Sequence, residues 1–449
     1  MLELLTFLGA IFVSGTYTGT DDDDAIGGSP GRDDISGGDG DDTIAGLGGI
    51  DIINGNDGND LLFADGQDEV MGGPGNDTLI GEGGFNYLEG GDGEDTILAK
   101  GDFTDINGGA EGDYIKLVGD NGVIISDPDP FDVGDDRVFA FGNDSIVDAG
   151  GGDDLIIVKG QGNDISGGNG DDRIFAKLGD NSIYDFDGED KIVTGAGDDR
   201  IDAGGGKDLI YTGGGADWIH AGSGDDIAKG AGGADLIRGG SGEDIVYGGS
   251  GADFLNGQDD DDYVFGGDGH DRVIGGKGDD VVTGGGGADI LRGGDGDDLL
   301  VGNFLVSEDL DDIFAGDAED AEKMYGGDGD DTFWMATGDT ATGGEGEDVF
   351  AVCAGLTPLP VITDFSFADT LVVYYDDTLD VEYQLPPGLG ASTNDEGDST
   401  VLIYPYASGE AVPAAILQGV SGDEVGSIDI TFRPYSELDA AILAALTTP

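Results

Sequence analysis

Aspartate at every ninth place is the chemistry this chain has most of. From about Gly19 to Ala351 the sequence repeats Gly-Gly-x-Gly-x-Asp-x-apolar-x, and from Phe131 to Val301 the 171 residues divide into nineteen nonapeptides without a slip of phase. The sixth place is aspartate in 28 of 36 half-turns. On the N-terminal side these are Asp24, Asp33, Asp42, Asp51, Asp60, Asp68, Asp77, Asp95, Asp113, Asp136, Asp154, Asp172, Asp190, Asp199, Asp208 and Asp217. They continue as Asp226, Asp235, Asp244, Asp253, Asp262, Asp271, Asp280, Asp289, Asp298, Asp312, Asp331 and Asp348. Glycines at places one, two and four allow positive φ and close backbone approach, so six residues can turn tightly with their carbonyls facing inward. Hard carboxylate oxygens beside turn carbonyls suit calcium, which takes six to eight oxygens, better than zinc, which prefers nitrogen and sulfur.

The elements that hold these carboxylates follow from the rest of the repeat. The last three residues of each nonapeptide read as a short strand whose eighth residue points inward: Ile26, Ile35, Ile44, Ile53, Leu62 and so on to Phe350, with only Ala228 and Thr342 not large and apolar. Two nonapeptides make an eighteen-residue coil, and successive sixth places fall on opposite edges. The expected fold is all-β: a parallel β-roll solenoid of about eighteen two-strand coils, its core about one side chain thick.

Composition makes the same demand. Ninety-seven acidic residues against seventeen basic give a formal charge of −80. Coils stack about 4.8 Å apart, and like charges at that spacing repel by about 1 kcal/mol even at the dielectric of water. Summed over two dozen rungs this exceeds a typical folding free energy of roughly 5–15 kcal/mol. The metal-free chain is therefore expected to be expanded, with calcium as the ligand whose binding energy is folding energy. The same charge opposes nucleic acid as a partner.

The repeat, Asp24 to Asp348, resembles the RTX (repeats-in-toxin) calcium-binding nonapeptide-repeat family of secreted bacterial proteins. The resemblance implies that each ion sits between turns eighteen residues apart and shares the aspartate of both. It also implies roughly twenty or more ions and export by type I secretion through an uncleaved C-terminal signal. Val361-Ile-Thr-Asp-Phe365 followed by Asp369-Thr-Leu-Val-Val-Tyr374 looks like the stretch that closes such rolls. The domains expected are an apolar N-terminal cap or assembly segment at 1–18, the calcium-binding roll at 19–351, and a β-rich cap with secretion information at 352–449. Further strands are expected around Val381 to Leu385, Thr400 to Tyr406 and Ile428 to Phe432, then a helix from Ser436 to Leu446. Met1 to Val13 is apolar but too short to span a membrane, and it has no basic start or small-x-small cleavage site. Calcium sites of the extracellular class need concentrations the cytosol does not offer, so the folded form is expected outside the cell or at its surface. Cys353 stands alone and is expected to be buried.

Two departures from perfect repetition carry more information. On one edge the sixth places read Asp77, Asp95, Asp113, Asp136, Asp154, Asp172, Asp190; at the same heights the other reads Asn86, Thr104, Gly122, Ser145, Asn163, Asn181, Asp199. Between about residues 81 and 184 the roll should hold calcium along one edge only. The outward ninth places of one sheet form an apolar row that includes Phe139, Ile157, Phe175, Tyr211, Tyr247 and Phe265. A long apolar stripe of this kind meets a partner, and self-association is the first expectation.

Enzyme readings fail for want of parts. His220 and His270 lie fifty residues apart, no His-Glu-x-x-His exists, and Gly27-Gly-Ser-Pro-Gly31 sits in a repeat turn without a strand-to-helix setting. The functional classes in play are a secreted structural protein that self-associates in a filament, matrix or surface layer, and a monomeric adhesin or polysaccharide-binding module on a face such as Asp202, Arg238 and Arg292. An RTX protein associated with an enzyme is the third.

Overall fold

The computed structural model describes residues 15–127, 134–302, 321–353, 358–366, 368–375, 388–393, 399–404, 412–418, 420 and 429–434. The chain divides into two compact units, Met1–Ser223 and Gly224–Pro449. The apolar N-terminal segment, Asp312, the strand expected around 381–385 and the C-terminal helix fall outside the described residues, as does the side chain of Cys353.

Each unit is a parallel β-solenoid. In the first, one sheet stacks strands such as Thr96–Lys100, Tyr114–Val118, Arg137–Phe141, Leu155–Lys159 and Arg173–Leu178, each paired in parallel with the next. The other sheet stacks Tyr87–Asp92, Asp105–Ala110, Val123–Ile125, Ile146–Gly151 and Asp164–Asn169. Apolar places pair with apolar places one coil on, as in Ile97 with Ile115 and Ile156 with Ile174. The second unit repeats the plan, for example in Ile245–Gly251 beside Tyr263–Gly269 and Val281–Gly286. Among the described residues there is no helix.

Strands are longer than the repeat suggests. Many run six residues, from place seven through place three of the next nonapeptide, as in Ile52–Asp57. The glycines at places one and two continue the ladder instead of turning it, and the turn is compressed into places four to six. Inward residues therefore form two rows. The eighth places, Ile35 to Phe350, are almost fully buried, and small residues at place one, such as Ala140 and Ala176, are buried beside them.

The ladders absorb irregular lengths outside the strands. Tyr114 pairs with Arg137, so the ladder keeps its register across five extra residues of sequence, and Leu299 pairs with Thr332 across a longer insertion. Some coils are one residue short, as where Met324 pairs with Ala341. That shortening corrects one inward assignment: Ala341 is fully buried, and Thr342 instead turns its hydroxyl to Thr363, 2.7 Å away. Both ladders of the second unit run on past Ala351. Thr370–Tyr375 pairs with Val349–Cys353 and then with Asp429–Pro434. Val361–Ile362 pairs with Val412–Leu417, which joins Ser399–Tyr404 and Gly388–Thr393 in an antiparallel meander.

Candidate metal centres

The repeat places each sixth-place aspartate under the turn of the preceding coil. The amide of Asp154 donates to Asp172 Oδ1 at 2.7 Å, that of Asp172 to Asp190 Oδ1 at 2.8 Å, and that of Asp77 to Asp95 Oδ1 at 2.7 Å. In the second unit the amides of Asp244, Asp262 and Asp280 donate in the same way at 2.8 Å to Asp262, Asp280 and Asp298. One carboxylate oxygen of each rung is thus spent on holding the coil spacing. The other is buried with no hydrogen-bond partner, as at Asp42, Asp60, Asp77, Asp95, Asp154, Asp244, Asp262 and Asp280. A buried carboxylate oxygen without a donor is costly unless a cation meets it.

Carbonyl oxygens complete the donor set. A Cβ built on Gly37, Gly55, Gly72 or Gly90 would strike the Oδ2 of Asp42, Asp60, Asp77 or Asp95 and the carbonyl of Gly55, Gly72, Gly90 or Gly108 one coil on. Place one is glycine there because oxygens from two coils converge on the space a side chain would take. Positive φ is taken at place two, inside the strand, and at place four, in the turn, at 120° for Gly38 and 110° for Gly40. An all-oxygen cradle with an orphaned carboxylate fits a hard divalent cation, and calcium bound there supplies the positive charge that the rungs lack.

Burial penalises the charged form of these groups, and neighbouring carboxylates add to the penalty, while the amide bond from the preceding rung opposes it. Asp113 and Asp154 are pushed up from 3.8 to about 9. Asp262 rises to about 8, and Asp77, Asp95, Asp244 and Asp280 to about 7. A cation in the cradle reverses that balance.

The opposite edge of the first unit is built differently. The amide of Ser145 donates to Asn163 Oδ1 at 3.0 Å, Asn163 Nδ2 donates to Asn181 Oδ1 at 3.0 Å, and Asn181 Nδ2 donates to the carbonyl of Gly179 at 2.8 Å. Asn86 and Thr104 likewise donate to the carbonyls of Gly83 and Gly101. Each of these side-chain donors thus ties a carbonyl of its own turn. Buried Leu117 and Val158 stand at place one, where the other edge has an open cradle. The turn itself changes, with the left-handed residue moved to place five at Phe85, Phe103, Asn121 and Asp144, all between 55° and 65°.

Several acidic residues escaped the motif. Glu322 and Asp339 occupy sixth-place positions displaced by the insertion and the short coil. The Glu322 amide donates to Asp339 Oδ1 at 3.1 Å, and burial together with Asp339 pushes Glu322 up to about 11. Asp369 continues the column, accepting from the amide of Asp348 at 3.2 Å. Asp185 stands at place one, where the motif calls for glycine. Its carboxylate lies with those of Asp172 and Asp190, their oxygens within 4.8 Å of one another, the one such trio among the described residues. An outer column at place five also ties coils, as where the Asp171 amide donates to Asp153 Oδ1 at 3.0 Å.

The ninth-place row is half-buried by its own stacking. Phe139 packs on Tyr114 at 5.3 Å between ring centres, Lys177 lies over the Phe175 ring, and in the second unit Tyr247 stacks on Phe265 at 4.9 Å. On the other sheet of the first unit, Arg200 lies 3.7 Å over the Trp218 ring and donates to the Tyr184 hydroxyl at 3.1 Å, and Asp202 meets His220 at 3.0 Å.

The sequence matches the family described as RTX calcium-binding nonapeptide repeat (4 copies) over residues 18–53, 36–68 and 71–103, and in overlapping stretches from 148–183 to 265–300. No curated protein matches it.

Proposed function

The chain belongs to the family of RTX calcium-binding nonapeptide-repeat proteins, and from that premise we propose that it is a bacterial protein exported by type I secretion, folding on calcium outside the cell and serving a structural role there by self-association. The observation that carries the calcium half is the column of buried, partnerless Oδ2 atoms at the sixth places, facing carbonyls from the next coil. Roughly twenty or more ions would occupy such cradles. Extracellular sites of this kind work at about 10⁻⁴–10⁻³ M calcium, which favours action outside the cell. The assembly half rests on the ninth-place row, where Phe139, Ile157, Phe175 and Tyr211 in one unit and Tyr247 and Phe265 in the other keep part of each side chain at the surface. Catalysis has no part in this reading.

A second reading, a monomeric polysaccharide-binding module or adhesin, is favoured by the cluster of Tyr184, Arg200 and Trp218, where aromatic faces and a guanidinium meet on one sheet. Light scattering on the metal-stripped chain during calcium titration separates the two. Growth into large, chelator-reversible particles supports the structural role. Compaction that stops at the monomer supports the binding module.

A further inference from the structure

We propose that Asp172, Asp185 and Asp190 form a three-carboxylate calcium site that binds its ion more tightly than the two-carboxylate rungs around it. The inference rests on the calcium reading above and adds a ligand that the repeat motif does not contain. Asp172 and Asp190 are successive sixth-place aspartates, tied by the Asp172 amide to Asp190 Oδ1 at 2.8 Å. Asp185 enters from place one of the following coil, where its Oδ1 accepts from the amides of Gly168 at 2.7 Å and Phe186 at 3.3 Å. Those two bonds account for one oxygen as a structural acceptor. They leave Oδ2 buried without a hydrogen-bond partner, as are the Oδ2 atoms of Asp172 and Asp190. The side chains are only 6 %, 1 % and 2 % exposed for Asp185, Asp172 and Asp190.

Three buried carboxylates whose ligand atoms lie within 4.8 Å of one another repel strongly. A merely structural residue at this place would need no second oxygen, since glycine serves at place one in the coil before, at Gly167. Calcium affinity rises with the number of charged ligands, so the third carboxylate tightens the site.

The test is calcium titration of the full chain against a competing chelating dye, for wild type, Asp185→Gly, Asp185→Asn and Asp244→Asn. The Gly variant restores the motif residue and the Asn variant keeps the side-chain volume, so both should fold in saturating calcium. Wild type and Asp244→Asn should show one ion bound roughly tenfold or more tightly than the rest. Both Asp185 variants should lose that step while the total number of ions stays the same. An unchanged first step in the Asp185 variants overturns the proposal and leaves the calcium reading standing. A wild-type chain that takes up no calcium overturns that reading itself.

Discussion

Asn163 Nδ2 donates to Asn181 Oδ1 at 3.0 Å on one edge of the first unit, while nine residues away along the chain Asp154 and Asp172 hold partnerless carboxylate oxygens. The amide ladder closes with donors that its side chains carry. The carboxylate ladder closes only with a cation. Asn163→Asp would put a charge where Val158 fills the cradle and Asn181 Oδ1 faces it. In saturating calcium this variant should unfold with a loss of about 1–3 kcal/mol and bind no extra ion. A stabilised variant with one more ion would show that this edge can take calcium.

The core row is thin, so each eighth place matters. Ile156 is fully buried between coils, and Ile156→Ala should cost about 2–5 kcal/mol in the calcium-loaded state, read by thermal unfolding. A loss under 1 kcal/mol would mean that the coils collapse around the deletion.

Acid and calcium should act on the same oxygens. Burial raises rung carboxylates in the folded, metal-free chain, Asp60 to about 6 and Asp154 to about 9. The folded form therefore binds protons more tightly than the unfolded one. Their contribution to stability is fully present below the ordinary value of 3.8 and is lost as pH rises through about 6 to 9. In chelator, β-structure by far-UV circular dichroism should grow as pH falls from 9 to 5. In calcium the sign reverses, since protons compete with the ion, and the calcium midpoint should move to higher concentration in acid. Metal-free spectra identical at both pH values would contradict the burial of these groups.

Much of this was legible because a strict period leaves few alternatives. The eighth-place row, the sixth-place column and the asymmetry between edges follow from identities at fixed spacing. What the spacing hides is how a coil spends its slack. Strands extend through places one to three, as in Ile52–Asp57, so the turn shrinks. Ala341 replaces Thr342 in the core because that coil is one residue short. Leu117 and Val158 at place one marked the neutral edge as filled, a signal visible in sequence only once place one is known to line the cradle. Asp185 is hidden in the sequence because acids are so common in it, 97 in all, that one more at a glycine place does not stand out from the pattern.

The outward row gives the prediction for assembly. Phe175→Asp and Tyr211→Asp should abolish large particles in calcium, read by light scattering, and leave the far-UV spectrum unchanged. Variants that assemble as wild type does would place the interface elsewhere.

The most direct test of calcium as the folding ligand is far-UV circular dichroism of the metal-stripped chain at neutral pH, titrated from micromolar to millimolar calcium and then treated with chelator. Conversion from a disordered to a β-rich spectrum, reversed by the chelator, is the predicted result. A chain equally β-rich with and without the ion would contradict it.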